Sequence, residues 1–159
     1  MYFFLENEKA TEILAQHLAK TVTAGMVISL DGNLGMGKTF LVRSLLYALG
    51  YTGKVKSPTY TLVESYPLST TLTCYHFDCY RFNDPEEWEY AGFREYFNAN
   101  SLCFIEWAEK LNTLAPPFDL VIQFYIPTQS LSSREVNLIA KSPLGYHCLT
   151  QLEEITQQK

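Results

Sequence analysis

Residues 32–39 read Gly-Asn-Leu-Gly-Met-Gly-Lys-Thr, and this octapeptide limits the possible folds more than any other part of the sequence. Its glycines permit backbone conformations that a side chain forbids, so the main chain can wrap closely around a bound group with its N–H donors turned inward. The spacing matches G-x-x-x-x-G-K-[ST], a loop that cradles phosphates between a strand and the positive N-terminal end of a helix. Both flanks fit. Met26-Val27-Ile28-Ser29-Leu30 is a short, nearly continuous apolar run of the kind that forms a buried parallel strand. After Thr39, residues Leu41, Leu45, Leu46 and Leu49 recur at helical spacing until Gly50, which suits a left-handed helix end.

The rest of the chain continues the alternation. Residues 2–5 predict a short strand, and Asn7 is placed to cap a helix over 8–23, with Ala10, Ile13, Leu14, Leu18 and Val22 on one face. Residues 59–66 and 71–80, rich in Thr, Tyr and Val and separated by a turn at 67–70, predict an antiparallel hairpin. Asp84-Pro85-Glu86-Glu87 is a helix-start signal for short helices over 85–98. Further strands are expected at 102–105, 120–126 and 135–140, and a closing helix at 144–155. The linker-like stretch 113–117 is too short to separate two domains. The expected fold is α/β, a single P-loop NTPase domain over 1–159, with a mixed, mostly parallel sheet, one antiparallel hairpin and helices on both faces.

Composition narrows the partners. A net charge of −5 argues against a general electrostatic grip on nucleic acid. The charge is uneven: residues 32–63 hold Lys38, Arg43, Lys54 and Lys56 and no acid, whereas 82–109 hold seven acids and one arginine. That polarity suits a phosphate site beside an acidic surface, and the stretch 84–95 is a candidate face for a protein partner. No apolar run reaches the length of a membrane span, and the first residues lack an export signal, so a cytoplasmic protein without membrane contact is expected. Cys74, Cys79, Cys103 and Cys148 lie in apolar surroundings and read as reduced, buried thiols.

A phosphate loop implies definite partners for its own residues. Lys38 would bridge the β and γ phosphates, and the Thr39 hydroxyl would ligate Mg²⁺. A carboxylate at the end of a neighbouring strand is also required, and Glu106 and Asp78 both qualify. Glu106 is favoured for the metal because its strand reads as central and buried, leaving Asp78 to orient the attacking water. Thr59 or Thr61, after Ser57-Pro58, could supply a hydroxyl that senses the γ phosphate. Cys74, His76 and Cys79 do not read as a zinc site, since strand alternation turns Cys79 to the opposite face. His76 is expected to be a satisfied, partly buried histidine.

Taken together, the octapeptide, Lys56-Ser57-Pro58-Thr59-Tyr60-Thr61-Leu62-Val63-Glu64, His76-Phe77-Asp78-Cys79-Tyr80-Arg81, Gly92-Phe93-Arg94-Glu95-Tyr96-Phe97 and Ile105-Glu106-Trp107 resemble the TsaE (YjeE) family in order and spacing over about 7–140. The resemblance implies a small Mg²⁺-dependent ATPase, binding ATP and ADP, that serves bacterial formation of threonylcarbamoyladenosine at position 37 of tRNAs reading ANN codons. Its implied partner is the TsaB–TsaD complex, which performs the transfer chemistry and is reset by hydrolysis, with tRNA reached only through that complex. By the same resemblance, Thr39 and Glu106 would bind Mg²⁺, and Asp78 would matter for hydrolysis, with Lys38 on the phosphates. Glu8, Thr11, Gly32, Gly35, Met36, Gly37, Lys38, Thr39, Phe40 and Trp107 would hold or border the nucleotide. The chain departs from the family pattern at Asn33, Met36, Cys79 and Ala108, and Met36 is expected to crowd the loop.

Intrinsic turnover should be weak and partner-stimulated, because transition-state charge often needs an arginine and only four are present, with Arg81, Arg94 and Arg134 the candidates. The alternatives are a small-molecule kinase, which would usually carry an arginine-rich lid that is missing here, and a non-catalytic ATP-binding adaptor. A GTPase is disfavoured, since the chain contains no [NT]-K-x-D segment.

Overall fold

The apolar pentad before the glycine loop folds as β2 (Val27–Asp31), buried over its first four residues. Such a strand needs cover on both faces and partners on both edges, and it receives all four. In the computed structural model, which describes residues 1–128 and 130–158, β2 is the middle strand of a seven-stranded sheet. The others are β1 (Tyr2–Leu5), β3 (Val63–Pro67), β4 (Thr73–Asp78), β5 (Ser101–Glu106), β6 (Leu120–Tyr125) and β7 (Arg134–Ala140). Their order is β1-β7-β6-β2-β5-β4-β3. β6, β2, β5 and β4 run parallel; β7 and β3 oppose them at the two sides, and β1 turns back along β7. Five of the seven strands therefore share one direction, in a mixed sheet with the predicted hairpin at one edge.

Three long helices cover one face: α1 (Glu8–Leu18), α2 (Lys38–Ala48) and α4 (Pro143–Gln157). Their buried Leu14, Leu18, Leu41, Leu45 and Leu152 pack on Ile28, Leu30, Phe104, Ile122 and Leu138 of the sheet. α4 lies close enough that any Cβ at Gly145 would collide with the Asp119 carbonyl. The opposite face is covered by the short α3 (Glu86–Tyr90) and two 3₁₀ segments, Phe93–Tyr96 and Ala108–Leu114. There the core is aromatic, with Phe77 against Trp88, Phe93 and Phe97 at ring separations of 5.3, 5.4 and 5.4 Å. Helices on both faces are thus present, although unequal in length.

Two local expectations change, and the helix start expected at 84–87 holds. α1 stops at Leu18 rather than at 23: the N–H groups of Lys20 and Thr21 turn to the carbonyls three residues back, His17 and Leu18, which tightens the last turn, and the buried Thr21 hydroxyl also donates to Leu18 O. Residues 59–62 form a turn rather than the start of a strand. Leu62 N–H donates to Pro58 O, and Leu62 takes a φ of 67°, so the hairpin begins only at Val63. α3 begins at Glu86, with the Asp84 carboxylate accepting from Glu86 N–H while Glu87 reaches back to Asp84 N–H. The acidic stretch 84–95 is therefore in part a helix cap, and its Glu89 is paired with Arg94 at 2.6 Å. Among the described residues no helix is long and apolar enough to cross a membrane, and all four cysteines are free and buried.

Candidate functional site

The carboxyl ends of three adjacent parallel strands meet at one place, which is where open α/β sheets bind ligands. The ladders set Asp78 of β4 opposite Glu106 of β5, and Glu106 opposite Leu30 of β2. Both carboxylates consequently stand beside the exit of β2 into the glycine loop. The loop needs its glycines: Gly32, Gly35 and Gly37 have φ values of 146°, 77° and 97°. A Cβ at Gly32 would also lie 3.0 Å from Phe124 Cβ and 3.3 Å from the Phe124 carbonyl.

α2 starts at Lys38 and aims its first turn at this corner. Lys38 is a buried residue whose ammonium donates to the carbonyls of Gly32 and Asn33 and rests 4.4 Å from the ring centroid of Trp107. Burial lowers its pKa below the usual lysine value, against the opposing charges of Glu106, Asp78, Glu109 and Asp31. Thr39 Oγ1 donates to Glu106 Oε1 at 2.8 Å. The same oxygen meets His76 Nε2 at 2.8 Å. Burial pushes the Glu106 carboxyl up, but His76, Thr39 and Lys38 together hold it below the ordinary value.

Asp78 behaves differently. Tyr80 N–H donates to its Oδ1 at 2.9 Å and Thr59 Oγ1 to its Oδ2 at 3.3 Å, with Ser57 Oγ 2.7 Å from Thr59 Oγ1. Burial raises its pKa, and the neighbouring charge of Glu106 adds to the rise against the Tyr80 and Thr59 hydrogen bonds. Two carboxylates facing each other across one ladder are thus pushed in opposite directions, the arrangement that separates a fixed anion from a proton-handling one.

Two cavities flank the loop. The larger, about 520 Å³, is lined by Lys38, Thr39, Ser57, Thr59, Asp78, Glu106 and Trp107, with Arg43 and Tyr80 among their neighbours. The smaller, about 180 Å³, lies between the loop and α1, against Glu8, Thr11, Phe124 and Arg134. Gly35, Met36, Gly37 and Phe40 line both. Every nucleotide-border residue expected from the sequence, apart from Gly32 at the strand exit, therefore lines one cavity or the other. Met36 also packs against the main core.

Some readings are corrected. His76 is wholly buried rather than partly so, and it is not satisfied: Nδ1 has no hydrogen-bond partner among the described residues. Of the two threonines, Thr59 enters the cavity, while Thr61 is exposed and donates to Glu64. Of the arginines, Arg94 pairs with Glu89, Arg81 lies 4.2 Å over the Tyr60 ring, and Arg134 reaches the smaller cavity. Arg43, not among those three candidates, lines the larger cavity, and its position one helical turn after Thr39 was the available signal.

The strand order and the glycine loop define a P-loop protein of the α/β class. The family profile described as threonylcarbamoyl adenosine biosynthesis protein TsaE matches residues 5–136. The chain is 42% identical over 147 residues to the tRNA threonylcarbamoyladenosine biosynthesis protein TsaE of Haemophilus influenzae, covering 91% of this chain and 87% of that protein. It is 34% identical over 134 residues to the protein of the same name from Bacillus subtilis, covering 84% and 82%. The crystal structure of Bacillus subtilis YdiB superposes with a TM-score of 0.81 at 25% identity, covering 98% of this chain and 95% of that one. This chain belongs to the TsaE family.

Proposed function

We propose that this protein is a Mg²⁺-dependent ATPase that supports threonylcarbamoyladenosine formation at position 37 of tRNAs reading ANN codons by acting on the TsaB–TsaD complex. The observation that carries the reading is the bond between Thr39 and Glu106 at the mouth of the glycine loop, inside a cavity shared with Lys38 and Asp78. The names of the relatives supply the pathway.

The donor set suits Mg²⁺. Thr39 Oγ1 and the Glu106 carboxylate are hard oxygens, and Glu106 Oε2 has no hydrogen bond among the described residues. Those residues contain no group of three or more His, Cys, Asp and Glu able to hold a metal unaided, as befits an ion that arrives with a triphosphate and keeps several waters. Thr39 and Glu106 would hold it there, and it would neutralise charge on the β and γ phosphates.

The chain's own groups do the rest. Lys38 exchanges its two loop carbonyls for phosphate oxygens, and Trp107 with Tyr80, 4.9 Å apart, walls the site against water. Asp78, the carboxylate whose pKa is raised, orients the attacking water, and Thr59 holds it in place. Glu8 and Thr11, three apart on α1, border the nucleoside side. Among the described residues Arg43 is the one arginine lining the larger cavity, so turnover by the chain alone is slow and the partner complex stimulates it.

The test is phosphate release from ATP with and without TsaB–TsaD, in wild type and in Lys38→Ala. Stimulation by the partners that disappears in Lys38→Ala supports the reading. A rate indifferent to the partners, with a small acceptor phosphorylated, makes the protein a kinase, and binding without hydrolysis makes it an adaptor. Glu106→Ala is expected to weaken ATP binding in Mg²⁺ more than in EDTA; equal losses would remove Glu106 from the metal.

A further inference from the structure

His76 occupies a position where a core residue would ordinarily be apolar. Its side chain is fully buried on β4, held between Glu64 of β3 and Phe104 of β5 by the ladders on both sides. Its Nδ1 is the one buried side-chain nitrogen or oxygen without a hydrogen-bond partner among the described residues. A leucine there would orphan no polar atom, so the fold carries a desolvation cost that needs a return elsewhere. The ring makes one polar contact, at Nε2, and that contact is the Glu106 carboxylate.

Resting on the ATPase reading above, we propose that His76 is a positioning residue. Through Nε2–H it fixes Glu106 Oε1, so that Oε2 is the oxygen presented to the cation of the bound nucleotide. Oε1 already accepts from Thr39 and His76, each at 2.8 Å, and both of its lone pairs are then engaged. Oε2 accepts none among the described residues and is left for the site. Without the histidine, Glu106 keeps a single tether, to a hydroxyl that must itself turn toward the ligand, and the carboxylate can rotate about its terminal bond. Histidine on a doubly paired strand is a rigid support for such a carboxylate, and supports of this kind typically govern metal affinity by about 10–100-fold. The same strand carries Asp78 two residues on, so β4 sets the placement of both carboxylates.

The experiment measures ATP affinity in Mg²⁺ and in EDTA for wild type, His76→Leu and His76→Gln, with thermal unfolding of each in the absence of nucleotide. Leucine fills the space without a donor, whereas the glutamine amide nitrogen can replace Nε2. His76→Leu is expected to fold, to bind ATP in EDTA like wild type, and to lose about tenfold or more of the affinity that Mg²⁺ adds. His76→Gln is expected to recover most of that loss. Should the leucine variant fail to fold, His76→Asn, whose amide is too short to reach Oε1, is expected to show the same selective loss. The proposal is overturned if a folded variant lacking the donor keeps the wild-type Mg²⁺ response. It is equally overturned if glutamine does no better than leucine, or if both affinities fall by the same factor. If wild type itself binds ATP equally in Mg²⁺ and EDTA, the metal reading of the whole site fails and this inference with it.

Discussion

Gly32→Ala separates steric from conformational demands in the phosphate loop. Gly32 has a φ of 146°, and an added Cβ would sit 3.0 Å from Phe124 Cβ and 3.3 Å from the Phe124 carbonyl oxygen. Phe124 is buried in β6, and neither of those atoms can be moved by a rotamer change. Gly37 provides the comparison, with a φ of 97° and, among the described residues beyond its own chain neighbours, no heavy atom within 4 Å of its notional Cβ. Gly37→Ala should therefore cost only the left-handed backbone penalty, about 1–2 kcal/mol. Gly32→Ala adds an overpacking contact worth about 1–3 kcal/mol, for a total of about 2–5 kcal/mol. At about 2–4 °C per kcal/mol, Gly32→Ala should melt about 4–20 °C below wild type and Gly37→Ala about 2–8 °C below. Urea unfolding of nucleotide-free protein gives both free energies, and the difference between the variants isolates the contact with Phe124. If Gly32→Ala costs no more than Gly37→Ala, the proposed crowding is wrong.

Asp78→Asn is expected to cut partner-stimulated hydrolysis by about 100-fold or more while stabilising the nucleotide-free fold. Because burial and Glu106 raise the Asp78 pKa, its contribution to stability is present below the usual carboxylate value and lost as pH rises through the folded-state value. The advantage of the variant in unfolding experiments should therefore grow across that window and level off above it; an advantage greatest at low pH would contradict this. All four cysteines should resist alkylation at pH 8 in the native protein and react fully in denaturant, since each is buried and burial raises every thiol pKa, that of Cys103 to about 12. With that value above the ordinary 9.0, stability should fall as pH rises from 9 toward 12. Fast labelling independent of denaturant would refute the burial.

Much of the site was legible because its chemistry is local. Lys38, Thr39 and the loop glycines follow from one octapeptide, and the strand and helix around it follow from apolar spacing. Glu106 could be singled out because it ends an apolar run, and Asp78 because it ends one half of a hairpin. Their mutual distance could not be read, since it depends on β4 pairing with β5 rather than only with β3. Thr59 and Thr61 were indistinguishable as a β-prone pair until the left-handed Leu62 turned the segment and carried Thr59 to Asp78. His76 looked like ordinary core for the same reason. Strand alternation set it on the face opposite Cys79, but its partner lies thirty residues away in sequence.

The sequence by itself determined the glycine loop, its flanking strand and helix, and the residue types that end the strands beside it, because steric limits on glycine and the burial of apolar spacing act over a few residues. Only the tertiary structure decided that Asp78, Glu106 and Thr39 share one cavity, that α1 brings Glu8 and Thr11 to the far side of the loop, and that His76 grips Glu106. Those relations rest on which strands pair and in what register. That choice is a balance of burial and hydrogen bonding summed over the whole sheet, and no short segment encodes it.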